Sequence, residues 1–263
     1  MGWHRSDGNP NHMAAKVVLL RLHRDGLITL PPSIHLHPKR QEPKPPTPEL
    51  SLLTAPRDPI ELPVSGLLPI TLVRVKGTAL SAIWNDYMRQ YHYLGWTVLK
   101  GAQIRYIVDS PRGHLAAFGF ASAALKVADR DNWIGWDPET RMANLRYVVN
   151  NTRFLILPWV RSKNLASKLL AMTAKQLPAD WNEQYGYRPV LLETFVEMER
   201  FTGTCYKAAN WAAIGATLGR GRNDVNKKYG LPRKLIFTYP LRSDFRKTLM
   251  MQAPPIAGFN STS

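Results

Sequence analysis

Prolines divide this sequence more sharply than any other residue type. Eleven of the chain's 21 prolines lie between residues 31 and 69. Each proline fixes φ and lacks an amide donor, so a dense run of them is incompatible with a regular helix or a central strand. The sequence therefore predicts a semi-extended tether over residues 33–69, not a packed element, after a small unit over residues 1–32. A folded domain over residues 70–247 and a flexible tail over residues 248–263 are predicted to follow.

The segment before the tether has the pattern of a basic helix. Residues 13–32, MAAKVVLLRLHRDGLITLPP, predict an amphipathic helix, a turn at Asp25 and Gly26, and a short extended stretch. A helix, a turn and a strand in this order are typical of the end of a winged helix-turn-helix, although any small helical appendage gives the same pattern. In the winged-helix interpretation, the side chains that contact DNA are Lys16, Arg21 and Arg24.

The chain is strongly basic, and the excess charge is concentrated in one tract. Its 35 Lys and Arg against 19 Asp and Glu give a formal net charge of +16. Residues 200–250 alone hold 11 basic and 2 acidic side chains. Such a tract favours contact with phosphates, so DNA is the predicted partner. A solvated surface that only promotes solubility is the alternative.

Composition also argues against two classes of protein. One cysteine cannot form an intrachain disulfide, so the chain lacks the pattern of a secreted disulfide scaffold. No apolar run approaches the roughly 18 residues of a membrane span, and the start has no apolar segment of signal-peptide length. We therefore expect a cytoplasmic protein with no membrane partner.

Beyond residue 70 the hydrophobic pattern alternates between the strand and helix periods. Strands are predicted over residues 70–75, 103–109, 114–122, 153–159, 189–196 and 234–241. Helices are predicted over residues 78–91, 138–149, 164–177 and 206–211. The third of these helices is expected to end before Pro178, and the Gly/Arg-rich stretch after Trp211 is expected to be a loop. This order predicts an α/β domain with a mixed central sheet flanked by helices.

Several stretches resemble the family found as protein A of the Druantia anti-phage systems. They are YHYLG (91–95), NNTRFLILPWVRSKNLAS (150–167), YGYRPVLLETFVE (185–197), FTGTCYKAANWAAIGATLGRGR (201–222) and YPLRSDFR (239–246). The basic helix with GLITLPP is similar to the amino-terminal region of that family. Relatives are carried by transposon-like elements and fused to transposases. The resemblance therefore implies a role in anti-phage defence or in a mobile element, with a helicase or transposase as a candidate partner, and implies no particular reaction.

The order of the predicted elements also resembles the GNAT acetyltransferase fold. In that resemblance RFLILPW is a splayed central strand, VRSKNLASKLL receives a cofactor pyrophosphate, and CYKAANW carries a tyrosine general acid. Arg161, Lys163 and Asn164 then lie where a helix N-terminus offers free amides to an anion. Such loops normally carry glycines, and residues 161–164 have none. The anion is accordingly either an acetyl-CoA-like donor or a DNA phosphate, and the cofactor is left open.

Two charged residues are candidates because they lie in apolar strands. Glu193 is predicted to be a general base or the partner of an arginine, with a structural salt bridge as the alternative. If Leu192 faces the core, strand alternation turns Glu193 toward the opposite side and into solvent. Arg153, with Asn151 two residues before it, is a candidate fork for a phosphate or a carboxylate. The alternative for Arg153 is a pairing with Glu193 or Glu197.

The single cysteine lies at the start of a predicted helix. A helix N-terminus with Arg200 and Lys207 nearby predicts a depressed pKa for Cys205 and hence a nucleophile, whereas most free cysteines are small core residues. Tyr206 is predicted to donate a proton or to attack a phosphate, with a half-buried helix tyrosine as the alternative. Asn210 is placed four residues on, on the same helix face, where it could fix a base or a cofactor amide.

His92 follows a predicted helix and is flanked by two tyrosines. A helix C-terminus stabilises a protonated imidazole, so capping and catalysis are both predicted for it. Further on, a glycine-rich basic loop suits a nucleic-acid backbone, and the side chains predicted to contact DNA there are Arg220, Arg222, Lys227 and Lys228, together with Lys207. No metal-ligand motif is present, and no metal is predicted.

Three functions remain open from the sequence. The first is a DNA-interacting protein whose site, if it is catalytic, lies between the two central strands. The second is a GNAT-like transferase that modifies a nucleic-acid base or an amine. The third is a non-catalytic adaptor that recruits a helicase or a transposase to DNA.

Overall fold

The computed structural model of the chain describes residues 18–19, 21–30, 47–76, 78–219 and 230–251. They fall into two units, divided between residues 45 and 46. In the first unit, residues 18–19 and 21–24 are helical, and Gly26, at φ 75°, ends the helix in the left-handed conformation that glycine favours. Arg21 and Arg24 are exposed on this helix, and Lys16 lies outside the described residues. The winged-helix interpretation and its DNA contacts stay predictions.

The second unit is built on a seven-stranded sheet. Its strands are β1 Thr71–Arg74, β2 Gln103–Asp109, β3 Ala116–Ser122, β4 Val148–Ile156, β5 Leu191–Glu197, β6 Ala212–Ala216 and β7 Lys234–Pro240. Its helices are α1 Pro48–Thr54, α2 Thr78–Tyr91, α3 Ala128–Ile134, α4 Pro138–Asn144, α5 Leu165–Tyr185, α6 Thr204–Ala208 and α7 Phe245–Met250. The strand order is β1-β2-β3-β4-β5-β7-β6, with β4 and β5 parallel and the other neighbours antiparallel. This confirms the predicted α/β domain with a mixed central sheet flanked by helices.

The two longest helices cover opposite faces of the sheet. Successive side chains of a strand point to opposite faces, so neighbours in β2 identify what lies on each side. The Arg105 guanidinium donates to Asn85 Oδ1 and Ser81 Oγ in α2, whereas the Tyr106 hydroxyl donates to Asp180 Oδ2 in α5 at 2.6 Å. The core is therefore formed in two layers, one between the sheet and α2 and one between the sheet and α5.

The parallel strands β4 and β5 separate after three residue pairs. They pair from Val148 opposite Leu191 to Asn150 opposite Glu193, and no further. A bulge in β4 accompanies the separation, because the register with β3 shifts between Gly119 and Phe120. Beyond that point β4 stays paired with β3 and β5 stays paired with β7. The sheet is thereby opened between β4 and β5 at their carboxyl ends.

Part of the predicted tether is packed, so that prediction is wrong for residues 47–69. Thr54 is fully buried, and its hydroxyl donates to Asp86 in α2. Ile60 forms a parallel β-bridge with Val160, and Leu67 is buried in the core. The prolines do not prevent this because Pro48 occupies the first turn of α1, where no amide donor is needed, behind a Thr47 cap.

Several elements differ from the sequence prediction. The helix predicted over residues 138–149 ends at Asn144, and β4 begins at Val148 and not at residue 153. Helix α3 was not predicted, and α7 extends into the predicted tail, where Leu249 is fully buried. Helix α5 continues through Pro178 to Tyr185, because fully buried Leu177 and Trp181 hold the helix on the sheet on both sides of the proline. Helix α6 ends at Ala208, and residues 212–216 form β6 where a loop was predicted. Alanine and glycine give little strand signal, and the pairing with β7 supplies the strand. None of the described helices is both long and apolar enough to cross a membrane.

Candidate functional site between the diverging strands

A pocket of about 430 Å³ occupies the opening between β4 and β5. Strand β4 contributes Thr152 and Phe154 to its walls, and β5 contributes Thr194 and Val196. The loop after β5 and the first residues of α6 close a further side. Four residues predicted from the sequence line this pocket together: His92, Asn151, Cys205 and Tyr206.

Tyr206 lies across the opening between the strands. Its hydroxyl donates to Asn151 Oδ1 at 2.8 Å, and the Thr194 hydroxyl donates to Asn151 O at 3.0 Å. The ring packs against Phe237 and Trp211, at centroid distances of 5.7 Å and 5.1 Å. Burial raises the pKa of the Tyr206 phenol, so the group stays protonated at neutral pH. Tyr206 therefore keeps its proton, which it donates to Asn151 as a hydrogen bond, and is poorly equipped to attack as a phenolate.

Cys205 lines the pocket from the start of α6. Burial raises the pKa of its thiol above the ordinary value, and this effect outweighs the backbone amides that lower it. The predicted depressed pKa is therefore wrong. The group is a thiol at neutral pH, which makes it a weak nucleophile.

His92 lies directly after α2, at the edge of the pocket. Burial, and secondarily the charge of Arg153, lowers the pKa of His92 to about 4. Its Nδ1 accepts a hydrogen bond from Leu94 N, so the neutral ring carries its proton on Nε2. The predicted protonated imidazole is wrong, because a partial helix charge is weaker than burial beside a full cation.

We expect the substitution His92→Gln to change how stability depends on pH. A histidine whose pKa is lowered in the folded state stabilises the fold above pH 6.5 and loses that contribution as the pH falls toward 4. Between these values the free energy of unfolding of the unmodified protein should fall by roughly 3 kcal/mol more than that of the variant. Urea titrations at pH 7, 6, 5 and 4 measure the difference, and other titrating groups cancel between the two proteins. If the free energies of unfolding of the two proteins changed in parallel with pH, the lowered pKa of His92 would be contradicted.

Glu193 lies in a buried ion pair and does not line the pocket. Its Oε2 accepts from Arg130 Nη1 at 2.9 Å and its Oε1 accepts from Ala124 N at 3.0 Å, and both charged side chains are fully buried. Arg130 also bonds Asp131, which in turn accepts from Arg141. The predicted turn toward solvent is wrong, because α3 and its preceding loop cover this face. Desolvation raises the pKa of Glu193 despite the guanidinium. Its role as a base stays a prediction, and its partnership with an arginine is realised.

Arg153 is buried beside the pocket without an acidic partner among the described residues. Its Nη2 donates to Thr97 Oγ1 at 2.7 Å and its Nη1 donates to Thr152 O at 2.8 Å, while Nε has no partner there. Pairing with Glu193 or Glu197 is not found. Burial lowers the pKa of the guanidinium. The Asn151 side-chain amide donates to Gly119 O and Arg153 O, so Asn151 fixes the bulge of β4.

Other predicted residues lie outside the pocket. Asn210 is exposed after the end of α6, at φ 62°, so it is a turn residue and does not share a helix face with Tyr206. At the start of α5, Arg161 pairs with Glu61 at 3.0 Å, Lys163 is exposed, and Asn164 precedes the helix at φ 64°. Arg220, Arg222, Lys227 and Lys228 lie outside the described residues.

Three residues at the pocket mouth were not predicted as site residues. Arg200 lies over the Tyr93 ring, 4.9 Å from its centroid, and 5.8 Å from the centroid of Phe201. The Tyr93 and Phe201 rings meet edge to face at 5.2 Å. The sequence did contain a signal for the two aromatic residues. Tyr93 follows His92 and Phe201 follows Arg200, and both lie outside the predicted helices and strands, where a large aromatic side chain is not explained by the core.

The architecture is similar to that of several solved acetyltransferases. An aminoglycoside acetyltransferase, AAC(6')-Ib, in complex with coenzyme A is 14% identical at a TM-score of 0.43, over 68% of this chain and 98% of that one. An N-acetyltransferase from Staphylococcus aureus is 12% identical at 0.38, over 65% and 99%. A Bacillus subtilis acetyltransferase in complex with CoA is 7% identical at 0.38, over 66% and 98%. These likenesses are distant and concern the fold alone.

Comparison of the sequence with curated proteins finds no match. The family model described as Druantia protein DruA matches residues 21–230, which is most of the chain and includes six of the seven strands, the pocket and the first part of the basic tract. The predicted family is thus confirmed, and the chain belongs to the Druantia DruA family.

Proposed function

We propose that this protein interacts with DNA in anti-phage defence or in a mobile element, and that the carboxyl end of β5 is part of its DNA-contacting surface. Membership of the DruA family supports the biological setting. The observation that carries the DNA interaction is a group of exposed cations at this end of the sheet: Arg200, Lys207 and Arg233. Among the described residues, none of the three forms an ion pair with a carboxylate. Unpaired exposed cations are free to contact phosphates.

The backbone concentrates basic residues around this end of β5. Met198 N donates to Arg233 O, which places Arg233 beside the residues that follow β5. Leu231 N donates to Gly219 O at 3.0 Å, so the chain enters and leaves the segment 220–229 at neighbouring points. That segment holds four further basic residues in the sequence. A polyanion bound here would therefore meet a high local density of positive charge.

We expect Arg200→Ala to weaken DNA binding and to reduce its salt dependence. Each phosphate contact that is lost should lower the slope of log K against log salt by about 0.7 to 0.9. Fluorescence anisotropy with single-stranded, double-stranded and forked DNA over a salt series measures both quantities. The matched control is Arg188→Ala, because exposed Arg188 lies before β5, at the opposite end of the strand, and should leave the slope unchanged. Equal effects of the two variants would contradict this surface, and no binding at low salt would contradict DNA interaction altogether.

The same binding reactions separate an enzyme from an adaptor. The unmodified protein is compared with Tyr206→Phe on a denaturing gel. Strands that are cleaved, joined or covalently shifted by the unmodified protein and left intact by the variant would indicate chemistry on DNA in the pocket. Bound but intact DNA, unaffected by Tyr206→Phe, would favour an adaptor for a helicase or transposase.

A transferase is the second candidate, and Tyr206 is the observation in its favour. A protonated phenol between separating strands can protonate a leaving group. Against it, the Arg161 amide at the start of the predicted pyrophosphate loop already donates to Ile60 O at 2.9 Å. If acetyl-CoA is the donor, a 100-fold excess over its dissociation constant should stabilise the protein by about 2.7 kcal/mol in a thermal melt.

A further inference from the structure

We propose that the pocket between β4 and β5 receives an unpaired nucleobase of a DNA strand and holds it by stacking, without reading its identity. This inference rests on the DNA interaction proposed above and names the part of the DNA that the pocket takes. The observations that carry it are the aromatic mouth of the pocket, the two arginines near Tyr93, and polar side chains on both strands that are already paired.

The mouth exposes aromatic surface that the fold does not need. Both rings border the pocket: Phe201 is 45% exposed, and Tyr93 is 38% exposed although its ring stacks on His92 at a centroid distance of 5.0 Å. A pocket of about 430 Å³ is within the range of small-molecule sites, so it suits a single nucleotide and excludes a duplex. Exposed apolar surface around a cavity of this size is characteristic of a binding site.

The surroundings of Tyr93 favour an anionic ligand with a flat ring, because arginines attract the anion and aromatic faces accept the ring. Arg200 lies over the Tyr93 ring, and the charge of buried Arg153 also acts on the Tyr93 phenol. The Glu197 carboxylate acts on the same phenol in the opposite direction, from β5, where it lies opposite Lys234. Aromatic faces combined with arginine are the elements that bind single-stranded nucleic acid, the rings through bases and the guanidinium through phosphates.

The polar side chains that β4 and β5 present to the pocket have little capacity to read a base edge. The Asn151 amide gives both hydrogen bonds to backbone carbonyls, at 3.2 Å and 3.0 Å, and its oxygen accepts from Tyr206. The Thr194 hydroxyl donates to Asn151 O, and the Thr152 hydroxyl donates to Gly119 O. Reading a base would require breaking these bonds. Stacking has no such requirement, because every base presents an aromatic face.

The test compares two short oligonucleotides of equal length and equal phosphate count, oligo(dT) and its fully abasic counterpart. Both should show the same salt slope with the unmodified protein. We expect oligo(dT) to bind about 5- to 150-fold more tightly for each stacked base. Tyr93→Ala and Phe201→Ala should remove this preference and keep the salt slope, whereas Arg200→Ala should weaken both oligonucleotides alike. Met142→Ala, which removes an apolar side chain that is 67% exposed on α4, is the control and should change neither quantity.

The outcomes separate this inference from the function on which it rests. Equal affinity of the unmodified protein for both oligonucleotides would overturn base insertion and leave DNA interaction in place. Binding of neither would overturn both. A preference that differs strongly between oligo(dT) and other homopolymers would overturn recognition by stacking alone.

Cys205 supplies a second readout that needs no substitution. It is the only cysteine in the chain and it lines the pocket. Alkylation of its thiol should be slowed at least severalfold by saturating oligo(dT) and not by the abasic oligonucleotide. Equal protection by both would overturn the insertion of a base.

Discussion

The substitution Glu193→Ala should lower the free energy of unfolding by about 3–5 kcal/mol. Breaking a buried ion pair by removing one partner has a cost of this size, because the remaining charge loses part of its compensation and cannot reach water. Arg130 Nη1 loses Glu193, and its side chain is fully buried, although its Nε and Nη2 keep their bonds to Asp131. Urea unfolding followed by fluorescence measures the change. Glu197→Ala, four residues on in β5, removes a carboxylate that forms no ion pair with any described residue, and should cost less than about 1 kcal/mol.

A double-mutant cycle decides between structure and catalysis for Glu193. In an Arg130→Met background, the loss caused by Glu193→Leu should shrink by at least about 1 kcal/mol, because neither charge is then left alone. Any DNA-dependent activity should return together with stability in the double variant. If stability returns and activity does not, Glu193 has a chemical role that the ion pair alone does not explain.

Gly203→Ala should be destabilising by about 2–5 kcal/mol. Gly203 precedes α6 at φ 71°, and a Cβ there would lie 2.5 Å from two atoms of the Phe237 ring. Phe237 is fully buried, so the ring cannot move aside. The cost combines left-handed backbone strain with overpacking. Because α6 carries Cys205 and Tyr206, we also expect the pocket to be distorted.

Gly186→Ala is the control for the strain alone. Gly186 ends α5 at φ 76°, and a Cβ there would meet no atom within 4 Å. We expect a loss of about 1–2 kcal/mol, which is the left-handed penalty without a clash. A thermal or urea melt of both variants gives the difference. Equal losses would mean that Phe237 does not confine the start of α6.

Strongly periodic elements were predicted from sequence, and elements stabilised by remote partners were not. β2, over residues 103–109, agrees at both ends because its β-branched and aromatic residues are bounded by the polar residues Gln103 and Asp109. β6 has no such pattern, and it exists through its pairing with β7. The packing of residues 47–69 likewise depends on α2 and on Val160, far along the chain.

For the candidate site, too, some properties could be predicted from the sequence and others depend on the fold. His92, Asn151, Cys205 and Tyr206 were identified by residue type and prove to share one pocket. Their ionisation was not predictable, because burial decides the sign of the pKa shift at His92 and at Cys205. The partner of Glu193 is 63 residues away in the sequence, and only the fold brings Arg130 to it.

The packing of residues 47–69 determines where the protein can be dissected. A shortened chain that begins at residue 70 would lose the Thr54 hydroxyl from the buried Asp86 carboxylate and would leave the place of Leu67 in the core empty. It would also free the Arg161 amide, which now donates a hydrogen bond to Ile60 O. If acetyl-CoA bound only to such a fragment, the binding would therefore reflect the Arg161 amide that truncation had freed. A fragment that begins before Thr47 keeps Ile60, and with it the hydrogen bond that the Arg161 amide makes in the whole protein.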